Sequence, residues 1–262
     1  MCRLLGYFGV PIQLDRLIYK PDHSLIVQSY QPREMTSGVV NADGFGMGWY
    51  HSQRQTNPFT YKTTQPAWND TNLPSLSRYV ESGCVLANVR SATAGQSVDL
   101  VNCQPFQQGL ILGVHNGFID NFRRSLYRPI RERLSDSVYQ SIQGSTDSEH
   151  LFALLVNELE KTPHPSLTEA LQQTIAVLVE LGSQHQTDFS ANMILSDGQQ
   201  LVASRFASRS PVPTLYWLRD DVLFPDSVLI ASEPLFEGNW IPFDDRSLLT
   251  VNSDLTIETV AL

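Results

Sequence analysis

Cysteine is scarce in this chain, with three in 262 residues, at Cys2, Cys84 and Cys103. So few make no disulfide framework, and their spacing offers no paired metal ligands. Histidine is also thin. The six residues His23, His51, His115, His150, His164 and His185 are scattered, with no HExxH-like pair, and the chemistry the sequence points to requires no metal and no organic cofactor. Basic charge is short as well, 18 Lys and Arg against 27 Asp and Glu for a net charge of −9. That balance argues against nonspecific nucleic-acid binding and against anionic membrane surfaces, while a local basic pocket for a small anionic substrate stays open. No apolar stretch approaches the length of a membrane span, and the N-terminus lacks the basic region and long apolar run of a signal peptide. The expected compartment is the reducing cytoplasm. There is no internal repeat and no linker, so one domain over residues 1–262 is expected, with enough of the chain hydrophobic (42%) for a substantial core.

What is present is a succession of short apolar runs. Leu4, Leu5, Tyr7, Phe8 and Val10 read as a buried strand containing Gly6 and Gly9. Residues 11–13 read as a turn, residues 14–28 carry no firm period, and residues 29–38 read as loop. Asn41-Ala42-Asp43-Gly44-Phe45-Gly46-Met47-Gly48-Trp49-Tyr50 has three glycines at alternate positions, room for close backbone approach before a strand. Residues 51–64 read as an exposed hairpin or loop, and residues 65–77 as surface loop followed by a short helix. Residues 84–89 and 110–115 are apolar strands, the first ending at Arg90 and the second at Asn116-Gly117. Residues 96–108 between them read as loop.

Residues 120–134 are helical in pattern and basic, with Arg123, Arg124, Arg128, Arg131 and Arg133, as on a solvated helix face. Asp147 opens the clearest helix, with Leu151, Leu154, Leu155 and Leu159 at helical spacing, ended by residues 162–165. Ser166 caps a second helix that runs through Gly182. Beyond it, residues 191–195, 201–206, 214–218, 227–231, 248–252 and 256–260 are apolar runs split by turn residues. Strands, then helices, then strands suit a layered α+β domain more than alternating βαβ units.

Chemistry gathers where these elements begin and end. Removal of Met1 leaves Cys2 with a thiol and a free α-amine on one residue. Such an amine can take the thiol proton near neutral pH, so nucleophile and base come together. An Arg holds a carboxylate bidentately, an Asp holds an ammonium, and an Asn amide beside a glycine N–H gives two donors for one oxyanion. Arg90, Asp147 and Asn116 with Gly117 supply these groups. Together they suit a γ-glutamyl group, its α-carboxylate on Arg90, its α-ammonium on Asp147 and its γ-carbonyl between Cys2 and the Asn116/Gly117 donors. Each residue also has a plainer reading. Cys2 is then a small residue on a frayed end, Arg90 a structural ion-pair partner, Asn116-Gly117 a turn and Asp147 a helix cap.

The joint pattern resembles the class II glutamine amidotransferases, of the N-terminal nucleophile hydrolase fold. The matching pieces occur in order over roughly residues 1 to 160: Met1-Cys2-Arg3, Asp43-Gly44-Phe45-Gly46, Val89-Arg90-Ser91-Ala92-Thr93, His115-Asn116-Gly117-Phe118-Ile119-Asp120-Asn121 and Ser145-Thr146-Asp147-Ser148-Glu149. The resemblance implies an α+β, four-layer αββα sandwich. It implies Cys2 as processed nucleophile, Asn116 and Gly117 as oxyanion donors, and Arg90 and Asp147 as substrate binders. Cys2-Arg3-Leu4-Leu5-Gly6-Tyr7, and Ala231-Ser232-Glu233-Pro234-Leu235 with Trp240, look like the stand-alone group that includes the γ-glutamyl hydrolase of ergothioneine biosynthesis. The reaction implied there is hydrolysis of a γ-glutamyl hercynylcysteine sulfoxide, releasing glutamate. No synthase domain is expected after the glutaminase-like part. The alternatives are a glutaminase subunit serving a separate synthase, a hydrolase of glutathione-type γ-glutamyl peptides, and a non-catalytic γ-glutamyl-binding regulatory subunit. Asn88 and Gln104 stand where relatives often have His.

Overall fold

The structure, a computed structural model, describes residues 2–35, 38–51, 55–92, 96–161 and 166–262. The chain opens with β1 (Arg3–Gln13), α1 (Asp15–Ile18), α2 (Leu25–Tyr30), β2 (Phe45–His51), β3 (Gln55–Thr63), α3 (Leu73–Tyr79) and β4 (Glu81–Val89). Next come β5 (Phe106–Gln108), β6 (Ile111–Ile119), α4 (Tyr127–Arg131), α5 (Asp136–Ser141), α6 (Asp147–Glu160) and α7 (Leu167–His185). The last third holds β7 (Phe189–Ser196), β8 (Leu201–Arg205), β9 (Tyr216–Asp221), β10 (Phe224–Ala231), β11 (Ile241–Pro242), β12 (Ser247–Val251) and β13 (Ile257–Ala261). Among the described residues no helix is long and apolar enough to cross a membrane.

Two antiparallel sheets form, ordered β11-β9-β10-β1-β4-β2-β3 and β13-β12-β8-β7-β6-β5. β1 lies between β4 and β10, so the first strand of the chain shares a sheet with a strand from its last third. Strand alternation then divides the side chains into layers. Leu4, Phe8, Leu86, Leu112, Val114, Ile194, Leu201, Val228 and Ile230 pack between the sheets. Leu5, Tyr7, Val85, Ala87 and Val89 face outward onto Leu14, Leu17 and Leu25 of the first helical layer. On the other outer face, Leu151, Leu155, Leu171 and Leu178 of α6 and α7 cover Met193 and Leu195 of β7. The result is the expected four-layer αββα sandwich.

Several local expectations change. Residues 11–13 continue β1 past an irregularity between Phe8 and Ile12 rather than turning. Asn116 and Gly117 lie inside β6, paired with Asn192 and Ala191 of β7, so the dipeptide is not a turn. Residues 96–108 include the short β5. Of residues 120–134 only Tyr127–Arg131 is helical. Arg131 there is no solvated charge: its Nη1 donates to Tyr127 Oη and to His150 Nε2, and the guanidinium lies over the rings of Tyr127 and Tyr139. Residues 162–165, expected to end α6, lie outside the described residues.

Candidate active site

One end of the layer between the sheets is polar. Cys2 precedes Leu4 by two residues, Asn88 and Arg90 follow Leu86 on β4, and Asn116 follows Val114 on β6. By alternation all four side chains belong to the face between the sheets. The antiparallel register that sets Arg3 opposite Val89 sets Cys2 beside Arg90. The Cys2 thiol is half-buried and lies 4.0 Å from the Ser91 carbonyl. Met1, and Thr93 of the Val89-Arg90-Ser91-Ala92-Thr93 run, lie outside the described residues.

The residue after Cys2 is tied down firmly. Arg3 is fully buried, its Nε donating to the Cys2 carbonyl at 2.7 Å and its Nη1 to Glu233 Oε1 at 2.8 Å. Glu233, itself 1% exposed, also accepts from His23 Nε2 at 2.7 Å, Arg33 N at 2.8 Å and Glu34 N at 3.0 Å. Burial alone raises its pKa. The bonds from His23 and the two backbone amides, with the charge of Arg3, outweigh that and hold it at about 2. Leu4 N donates to Ser232 Oγ and Ser232 N to the Leu4 carbonyl, locking β1 against the end of β10. This anchor was not anticipated from the sequence, where Ala231-Ser232-Glu233 carried a likeness but no role.

Arg90 is nearly buried and wrapped by loops. Its Nη1 donates to the Asp43 carbonyl at 3.2 Å, and its Nη2 to Gln96 Oε1 at 3.4 Å and the Ser97 carbonyl at 3.3 Å. Asp43 returns the contact through its carboxylate, which accepts from Ala92 N at 2.8 Å. Gly44, at φ +130°, must be glycine, because a Cβ there would lie 2.6 Å from Cys103 Sγ and 3.0 Å from the Thr63 carbonyl. Among the described residues no acidic side chain pairs with Arg90, which removes its plainer reading as an ion-pair partner.

Asn116 is fully buried, and neither Nδ2 nor Oδ1 has a hydrogen-bond partner. Buried carboxamides are nearly always paired, so an unpaired one marks Asn116 out from the other buried residues of β6. At Gly117 a Cβ would sit 2.0 Å from the Ser190 carbonyl and 2.4 Å from His115 Nε2. Only glycine lets β6 approach there. His115 packs behind it, with Nδ1 2.8 Å from Ser148 Oγ and Nε2 3.2 Å from the Ser190 carbonyl. A carbonyl only accepts, so Nε2 carries the proton and Nδ1 accepts from Ser148. Burial lowers the His115 pKa, against the pull of Asp147, which favours this neutral ring. Gln104 clasps the backbone of His115, its Nε2 donating to the carbonyl at 3.0 Å and its Oε1 accepting from the amide.

Asp147 is not the cap of α6. Thr146 is, its hydroxyl accepting from Glu149 N at 3.2 Å. The Asp147 carboxylate instead accepts from Ile119 N at 3.0 Å and from Ser148 N at 2.9 Å, fixing it against the end of β6. Arg90 and Asp147 do not touch. From Arg90 a chain of hydrogen bonds runs through the Ser97 carbonyl, which also accepts from Asn102 Nδ2, to Asn102 Oδ1, which accepts from Ser145 N, two residues before Asp147. The other two thiols are poor rivals to Cys2. Burial pushes Cys84 up to about 12. Burial also raises Cys103, although Arg90 and Lys62 pull the other way.

A two-sheet αββα sandwich whose polar end gathers the first residues of the chain is the architecture of the N-terminal nucleophile hydrolases. A model of the class II glutamine amidotransferases matches residues 1–219, and the chain belongs to that family. It is 30% identical over 260 residues to the gamma-glutamyl-hercynylcysteine sulfoxide hydrolase of Mycolicibacterium smegmatis, covering 99% of each chain. It is also 30% identical over 293 residues to a probable glutamine amidotransferase of Saccharomyces cerevisiae, covering 96% of this chain and 82% of the yeast protein. The solved structure of a class II glutamine aminotransferase domain protein from Silicibacter pomeroyi matches with a TM-score of 0.71 at 28% identity, over 99% of each chain. The chain is therefore an amidohydrolase of the γ-glutamyl hydrolase and glutamine amidotransferase kind.

Proposed function

We propose that this protein hydrolyses a γ-glutamyl amide with Cys2 as its N-terminal nucleophile, within one catalytic domain spanning residues 1–262, and that the substrate is a γ-glutamyl hercynylcysteine sulfoxide. The observation that carries the chemistry is the unpaired, fully buried Asn116 carboxamide on the same face as Cys2. After removal of Met1, the Cys2 α-amine takes the thiol proton and sulfur bonds to the γ-carbonyl carbon. Asn116 Nδ2 and Gly117 N donate to the oxyanion that forms. The carbon–nitrogen bond then breaks, the departing amine takes the proton back from the ammonium, and a γ-glutamyl thioester remains. Water gives a proton to the same amine as it attacks, and glutamate leaves with the thiol restored. Arg90 holds the α-carboxylate and Asp147 the α-ammonium. The choice of leaving amine follows the Mycolicibacterium relative, similar along its whole length.

The yeast relative favours a second reading, a glutaminase that hands ammonia to a separate synthase. Glutamate release from glutamine, glutathione and γ-glutamyl hercynylcysteine sulfoxide, with Cys2→Ala as control, separates the two. Intact mass reports the loss of Met1. Release from the sulfoxide alone supports the hydrolase, and release chiefly from glutamine overturns it in favour of the glutaminase. Asn116→Ala should lower kcat by about 10²–10³, the usual cost of one oxyanion donor. Near-normal turnover of that variant would remove the assignment.

A further inference from the structure

Asn88 lies on β4 between Leu86 and Arg90, fully buried, and neither of its polar side-chain atoms has a hydrogen-bond partner. It is the second such orphan at this end of the molecule. Its register partners are Leu4 of β1, two residues beyond Cys2, and Gly46 of β2. Gly46 has no room for a side chain, since the Gln104 carbonyl stands 2.0 Å from where a Cβ would be. Gln104 in turn clasps the backbone of His115, the residue before Asn116. The two unpaired carboxamides therefore come from opposite sheets onto the face between them, and Gln104 lies next to the neighbours of both, its carbonyl beside Gly46 and its side chain on His115.

Asn116 has a particular need. Only its Nδ2 can donate to an oxyanion, and a carboxamide without partners is free to turn its Oδ1 there instead. Whatever bonds Oδ1 decides which atom faces the substrate. Facing sheets lie roughly 10 Å apart, a gap that side chains reaching inward from both can span, and since the two amides make no hydrogen bond with each other a link between them needs a bridging atom. A buried water in that place bridges polar groups that have no other partner.

We propose that Asn88 is a positioning residue for the hydrolysis. Its Nδ2 donates to one buried water, which donates to Asn116 Oδ1 and so keeps Asn116 Nδ2 aimed at the γ-carbonyl. The inference rests on Asn116 as the oxyanion donor. It accounts for why two buried amides, each costly to leave unpaired, sit at the same end of the fold.

Four variants test it: Asn88→Leu, Asn88→His, Asn116→Ala and the Asn88→Leu/Asn116→Ala double. Asn88→Leu should lower kcat about 10- to 100-fold, part of the cost of losing an oxyanion donor. KM should stay within about threefold, because Asn88 does not touch the substrate. Asn88→His, which keeps an N–H on that face, should recover most of kcat and covers the case in which the leucine variant does not fold. In the Asn116→Ala background Asn88→Leu should cost nothing further, since a residue acting through another is silent once that one is gone. Wild-type kcat in Asn88→Leu, or an equal loss in both backgrounds, overturns the role of Asn88 and leaves Asn116 standing. Near-normal kcat in Asn116→Ala overturns both.

Discussion

Glu233→Gln probes the anchor that holds the start of β1. In the wild type, four donors converge on the carboxylate: Arg3 Nη1, His23 Nε2, Arg33 N and Glu34 N. The drop from the ordinary value of 4.5 to about 2 corresponds to about 3 kcal/mol, at 1.36 kcal/mol per unit. The sign follows from linkage. A depressed carboxylate is protonated more readily when unfolded, so its contribution is whole above pH 4.5 and is lost as pH falls toward 2. Glutamine removes the charge, leaves Arg3 buried without its counter-ion and turns an amide NH2 toward other donors. Breaking a buried pair from one side costs about 3–5 kcal/mol. Urea unfolding at pH 7 should show a deficit of that size. At pH 3.5 the wild type has itself given up about 1.4 kcal/mol of this contribution, and the gap should narrow by that amount. Turnover should fall too, because Arg3 Nε holds the Cys2 carbonyl. An unchanged urea midpoint at pH 7, or a gap that does not narrow with acid, would refute the reasoning.

Gly117→Ala forces a Cβ to 2.0 Å from the Ser190 carbonyl, so β6 and β7 must part. A loss of about 3 kcal/mol or more in thermal unfolding is expected, together with loss of turnover. His150 is fully buried, its Nδ1 2.7 Å from the Thr146 carbonyl. Burial lowers its pKa to about 4, the Thr146 bond opposing and Arg131 reinforcing the shift. Protonation thus favours the unfolded chain, and stability should fall as pH drops from about 6.5 toward 4, by about 3 kcal/mol for this residue. His150→Asn should flatten that part of an unfolding-against-pH profile, which Glu233→Gln leaves in place. Arg90→Lys keeps the charge but not the planar fork. If Arg90 holds the α-carboxylate, KM for glutamate release should rise about tenfold or more with a smaller change in kcat, and an unchanged KM would remove that role.

The helical layers are legible because their signals are local. Leu151, Leu154, Leu155 and Leu159 repeat with helical period, and Ser166 accepts from Glu169 N as a cap should. The strand layers are legible only in outline. Leu4 and Leu5, or Val85 and Leu86, are apolar on adjacent positions because both faces of each sheet are covered, one by the other sheet and one by helices. Alternation is then invisible, and with it the face on which any residue lies. That face is what turns separate candidates into a site. Cys2, Arg90, Asn116 and Asp147 are each marked out by side-chain chemistry, but that Cys2, Arg90 and Asn116 share the face between the sheets depends on register across the strands. The same limit explains Asn116-Gly117. As a dipeptide it signals a turn, yet pairing with Asn192 and Ala191 and the close approach of Ser190 keep it in the strand. The anchor is the extreme case. Arg3 and Glu233 lie 230 residues apart in sequence, and no local pattern links them. Only closure of β10 against β1 brings the acid to the base, so the group that fixes the first residues is made by the last third of the chain.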